Sequence, residues 1–124
     1  MAKEEKQSDD WMEEYEGQLA IDVYQTPEEM IIKAPIAGVA PEDLEISITD
    51  EVVTVRGQRR DGQDISRENY FCQECYWGAF SRSYVLPIAV DSENARANLK
   101  DGILTIAIPK QEKTKTHLLK VETV

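Results

Sequence analysis

The chain has 124 residues, enough for one domain with a single core and too few for two. Apolar residues make up 41% and charged residues 31%, a globular balance that excludes wholesale disorder, and no apolar run approaches the ~18 residues needed to cross a bilayer. The net charge of −10 argues against nucleic acid or an anionic membrane as the main partner, since both are polyanions.

Residues 1–18 lack the apolar segment of a secretory signal, so a cytoplasmic location is expected. Seven acidic residues, Glu4, Glu5, Asp9, Asp10, Glu13, Glu14 and Glu16, make this stretch read as a solvated acidic arm. Within it Trp11, Met12 and Tyr15 lie at helical spacing and would form one small apolar face.

From Leu19 the hydrophobic period becomes two. Leu19 to Tyr24 alternates and stops at Thr26-Pro27; Glu29 to Ala34 is a second strand, stopped by Pro35. Residues 36–43 hold turn formers at both ends and read as a connection. Leu44, Ile46 and Ile48 alternate with Glu45, Ser47 and Thr49, the pattern of a half-buried strand. Val52 to Gly57 is the next strand, with Val53 and Val55 on one face. Gln58 to Asn69 is polar and predicts a long loop with a short strand near Ile65. Tyr70 to Trp77 is aromatic and holds both cysteines.

Gly78 to Leu86 is a strand, Asn94 to Leu99 another, and Gly102 to Ile108 the last. Asp101-Gly102 is a turn dipeptide, after which Leu104, Ile106 and Ile108 fall on one face until Pro109, which cannot donate to a ladder. After Lys110 the chain is polar and reads as extended as far as Leu118. Seven or eight short strands with turns between them and no normal helix predict two antiparallel sheets packed face to face.

Catalytic constellations are absent from this pattern. His117 sits alone in a polar tail, where a solvated residue is the ordinary outcome. No serine stands in a nucleophile elbow and no glycine loop cradles phosphate, so no enzyme activity, cofactor or ATP binding is expected. Cys72-Gln73-Glu74-Cys75 has the spacing of a redox dithiol or half a zinc site. Its aromatic flanks predict strand or loop rather than a helix start. On a strand, residues three apart point to opposite faces, which suits neither a disulfide nor chelation. The expectation is two small free thiols and no metal.

Arg82 lies between Phe80 and Tyr84 at spacing two. It is either a solvent-facing surface arginine or a partly buried one whose donors need carboxylates or carbonyls. Glu74 and Glu68, from this chain or a partner subunit, are the acidic candidates.

Four strings in order now carry a resemblance. They are Met30 to Ala34 closed by Pro35-Ile36-Ala37-Gly38; Pro41 to Ile46; Gly78-Ala79-Phe80-Ser81-Arg82-Ser83-Tyr84-Val85-Leu86-Pro87; and Ala97-Asn98-Leu99-Lys100-Asp101-Gly102-Ile103-Leu104. From about Leu19 to Lys110 the chain resembles the alpha-crystallin domain of bacterial small heat-shock proteins. One departure is Cys75, where that family usually has an arginine. The resemblance implies an immunoglobulin-like sandwich at residues 19–110, between a short arm (1–18) and a C-terminal extension (111–124).

It also implies an ATP-independent holdase that binds unfolding client proteins. The loop Gln58 to Trp77 would reach across to a second copy, giving a dimer interface that involves Arg82, Glu74, Glu68 and Ile65. A C-terminal tag, matched here by Leu119 and Val121, would dock in a groove between Leu44, Ile46 and Ile48 on one strand and Ala95, Ala97 and Leu99 on another. Larger oligomers would follow. Two other readings stand beside this one: a co-chaperone-like β-sandwich docking module, and a redox or metal protein built on Cys72 and Cys75.

Overall fold

A computed structural model describes residues 19–124 of the chain. The predicted acidic arm and the Trp11–Met12–Tyr15 face lie outside the described residues.

Seven strands form two antiparallel sheets: β1 (Asp22–Gln25), β2 (Glu29–Pro35), β3 (Leu44–Ile48), β4 (Val52–Arg59), β5 (Gly78–Val85), β6 (Arg96–Lys100) and β7 (Ile103–Pro109). One sheet runs β1-β2-β7-β6 and the other β3-β4-β5. The period-two pattern is the cause. Met30, Ile32 and Ala34 from β2, Val53 and Val55 from β4, Phe80 from β5, and Leu104, Ile106 and Ile108 from β7 point inward and make the buried core. Burying each such aliphatic or aromatic side chain contributes roughly 1.5–3 kcal/mol before conformational entropy is set against it.

Ile31 and Ala107 are also buried, although they point to the outer face. They are register partners there, and Arg96 is Ala107's partner on the other side. Arg96 Nη1 pairs with Glu29 Oε2 at 2.7 Å, on the same outer face.

The β6–β7 hairpin turns on Asp101 (φ 52°) and Gly102 (φ 76°). Two successive left-handed residues match the right-handed twist of the strands they join. A Cβ on Gly102 would also stand 3.2 Å from Ala37 Cα, so the position is closed to side chains twice over.

Several expectations need correction. The first strand begins at Asp22, not Leu19: the ladder to β2 starts at the Asp22–Lys33 pair, and the Leu19 carbonyl accepts from a side chain instead. There is no strand near Ile65: residues 60–77 contain only a short 3-10 turn at Arg67–Asn69. In a single chain that segment has no ladder to join. β4 instead continues to Arg59, since Gln58 and Arg59 find Ala79 and Gly78 opposite them. β6 starts at Arg96, after a 3-10 turn at Ser92–Asn94.

The segment after Lys110 is not simply extended. It folds into a 3-10 turn, Glu112–Thr114, that packs on the end of the sandwich. Gln111 donates from its backbone N to Ala89 O (3.2 Å) and from Nε2 to Val90 O (3.1 Å). Thr114 Oγ1 donates to Ala89 O at 2.8 Å, and Thr116 N to Pro27 O at 2.9 Å. Lys110, beneath this strap, is only 2% exposed, and its Nζ donates to Thr116 Oγ1 at 3.0 Å.

Candidate functional site

A three- and a four-stranded sheet leave four edge strands, and they meet in two pairs. Ser92 Oγ donates to Asp50 Oδ1 at 3.0 Å, joining the turn after β3 to the turn before β6, so those edges share one flank. Arg82 on β5 reaches the Leu19 carbonyl ahead of β1, so those two edges share the other flank. An edge strand presents unpaired N–H and C=O groups that another extended segment can satisfy.

The first flank holds the two edge strands that carry most of the predicted groove residues. Leu44, Ile46, Ile48, Ala95 and Leu99 are half-buried and pack on the rim of the core. Ala97 points the same way but is exposed, because its side chain is too short to reach the core. Each set borders an unpaired strand edge, and the Asp50–Ser92 hydrogen bond ties the two turns at one end of this flank.

On the second flank Arg82 is half-buried between Phe80 and Tyr84, whose inward alternation it shares. Its Nη1 donates to Leu19 O at 2.8 Å. The structure thus gives this donor a carbonyl, not the expected carboxylate of Glu74 or Glu68. Those two residues and Ile65 (41% exposed) lie on the 60–77 segment, on the protein surface. Phe71 on the same segment is fully exposed, an unusual state for a large apolar side chain.

Between β1 and the end of β5 the second flank holds an open cleft of about 330 Å³ that sequence reasoning did not find. Val23, Tyr24 and Met30 line one wall and Tyr84, Pro87 and Ile88 the other. No periodicity announces it, since its walls come from different sheets.

Cys72 and Cys75 are both free and exposed. Among the described residues no three His, Cys, Asp or Glu side chains converge as a metal site. His117 is exposed. Leu118, Leu119, Val121 and Val124 are 86%, 88%, 92% and 124% exposed, so among the described residues the tag side chains are nearly uncovered. Among the described residues no helix is long and apolar enough to cross a membrane.

Two antiparallel sheets packed face to face, with open edges on both flanks, define an all-β sandwich of the alpha-crystallin type. The chain belongs to the Hsp20/alpha crystallin family, whose model matches residues 22–123. Spore protein SP21 of Stigmatella aurantiaca is 36% identical over 102 residues, which cover 82% of this chain and 60% of that protein. Small heat shock protein C4 of Rickettsia felis is 35% identical over 100 residues, 81% of this chain and 61% of that one. This chain therefore spans about three fifths of the length of these relatives.

Among solved structures, heat shock protein 16.0 from Schizosaccharomyces pombe superposes with a TM-score of 0.73 at 25% identity, covering 87% of this chain and all of that one. A small heat-shock protein from Xylella fastidiosa gives 0.69 at 25% identity, covering 85% and 96%.

Proposed function

We propose that this protein is an ATP-independent holdase: it binds unfolding proteins on apolar surface, keeps them from aggregating, and does no covalent chemistry. The observation that carries this reading is the half-buried strip of Leu44, Ile46, Ile48, Ala95 and Leu99 between two unpaired strand edges. Such a strip accepts extended chain by main-chain hydrogen bonds and alternate side-chain contacts, without demanding a sequence.

The same strip receives the chain's own tag. Leu119 and Val121, separated by Lys120, project to one side of an extended segment, and both are bare in the single chain. Each docked side chain contributes roughly 1.5–3 kcal/mol at most, so one contact is weak and several in a symmetric assembly hold. Heating loosens these contacts and frees the strip for clients.

The dimer forms by loop exchange. Residues 60–77 carry Ile65, Glu68, Phe71 and Glu74 without a strand of their own, and β1 of a partner offers an edge. A long loop that does nothing inside its own domain is uncommon. Residues 19–110 act as the sandwich and 111–124 as the extension. The compartment is the cytoplasm.

The test is light scattering from a heat-labile enzyme held at its aggregation temperature. Addition of this protein at a comparable subunit concentration should suppress scattering equally with and without ATP. Undiminished scattering, or suppression only with ATP, overturns the proposal.

A further inference from the structure

Cys72 and Cys75 are absorbed by nothing above. Both thiols are free and exposed, and they lie on the 60–77 segment, Cys72 next to the exposed Phe71 and Cys75 next to the half-buried Tyr76. Residues 72–77 have no regular structure in the single chain, so nothing holds this pair in the extended geometry that separates it.

An extended strand sets residues three apart at a Cα spacing of about 10 Å. A disulfide needs about 4.4–6.8 Å. An extended strand at Cys72–Cys75 and a disulfide between the two therefore exclude each other.

We infer that Cys72 and Cys75 form an oxidation site whose intrachain disulfide prevents residues 72–75 from adding as a strand to a second copy. The inference rests on the loop-exchange dimer proposed above. The oxidant is a hydroperoxide such as hydrogen peroxide. One thiolate attacks a peroxide oxygen, breaking the O–O bond and giving a sulfenic acid and one water once the leaving hydroxide takes a proton. The second thiolate attacks the sulfenic sulfur and expels hydroxide, which takes the remaining proton as a second water. Two S–H bonds are lost, one S–S bond forms, and one peroxide is reduced to two waters. An added dithiol reverses the reaction and is itself oxidised.

The disulfide form removes main-chain hydrogen bonds from the exchanged strand, and those bonds supply the affinity of strand addition. Oxidation then captures the separated chain and withdraws it from the dimer equilibrium. Two consequences follow. The dimer Kd rises about tenfold or more on oxidation. Disulfide formation slows as protein concentration rises, because the dimer holds the segment extended.

The experiment uses the full chain, reduced or treated with hydrogen peroxide, with unreacted peroxide removed. Intact mass and peptide mapping read the bond, and sedimentation equilibrium reads the dimer. The expected result is a Cys72–Cys75 bond within one chain, the weakened dimer, and full recovery with dithiothreitol. A C72S/C75S chain should give the same Kd before and after peroxide, which removes methionine oxidation as the cause.

An oxidised chain that carries the mapped intrachain bond yet dimerises at unchanged Kd overturns the inference and leaves loop exchange standing. Bonds only between chains, or thiols that oxidise only to acids, overturn it as well. A reduced chain that sediments as a monomer at all concentrations overturns loop exchange itself, and this inference with it.

Discussion

Arg82 donates from Nη1 to the carbonyl of Leu19 at 2.8 Å, across 63 positions of sequence. That bond pins the entry to β1 against the edge of β5 and joins the two sheets on one flank. Charge-assisted hydrogen bonds in part-buried sites contribute about 1.5–3 kcal/mol, and partial exposure here lowers the figure. Arg82→Ala should lower unfolding free energy by about 1–2 kcal/mol, read as a shift in urea midpoint at unchanged slope. Because the proposed loop exchange would use the same flank, the sedimentation mass should fall too. An unaltered midpoint and mass would mean that the guanidinium is merely solvated.

Gly57 on β4 faces Phe80 on β5, and a Cβ there would overlap the Phe80 ring and press on Leu44 at 3.0 Å. Gly57→Ala should therefore cost about 1–3 kcal/mol, the usual range for overpacking. Combining it with Phe80→Leu should cost less than the sum of the two single changes, since the smaller side chain relieves the overlap. Additive losses in thermal unfolding would place the strain elsewhere.

The C-terminal extension divides into a strap and a tag. Removing residues 118–124 takes away only exposed side chains, so it should leave thermal stability unchanged while reducing large assemblies to dimers. Removing residues 111–124 also strips the bonds to Ala89, Val90 and Pro27 and uncovers Lys110. That longer deletion should lower stability by about 1–3 kcal/mol. Equal stability of the two truncations would show that the strap contributes nothing to the fold. Assemblies of unaltered size in the shorter deletion would exclude Leu119 and Val121 as a tag.

Within the strap, Lys115 Nζ lies 3.0 Å from Glu112 Oε2. The hydrogen bond from Lys115, and then its charge, lower the Glu112 carboxyl below its ordinary 4.5. The hydrogen bond to Glu112, and then its charge, raise the Lys115 ammonium above 10.5. A depressed acid contributes stability above its unfolded value and loses it as pH falls through the folded one. A raised base contributes below its unfolded value and loses it as pH rises through the folded one. The pair therefore acts across neutral pH, weakly, since it meets solvent. Glu112→Gln should speed amide exchange of Thr114 and Lys115 at neutral pH, and the difference should vanish below the carboxylate range. A difference that persists in acid would assign the effect to the substitution's shape.

The strands and the core were legible because period-two alternation states which face is buried, and a sandwich needs only two such faces. Leu104, Ile106 and Ile108 are buried as their spacing requires. The half-burial of Leu44, Ile46 and Ile48 was legible for the same reason, all three lying on one face of β3. Arg82's partner was not. A carbonyl accepts as well as a carboxylate, and which one stands within 3 Å depends on chain path, not residue type. The strap was missed because Gln111 and Thr114 are ordinary polar residues whose partners are main-chain carbonyls, invisible in composition.

By itself the sequence determined seven short faces of apolar residues, their order, and the left-handed turn at Asp101-Gly102, because each follows from neighbours a few positions away. Only the tertiary structure decided which edges stand side by side. It set β3 beside β6 and β5 beside β1, buried Lys110 under the chain's own end, and left Phe71 bare. Those outcomes depend on contacts between residues far apart in the chain, where sheet twist and packing, rather than local preference, choose the neighbour.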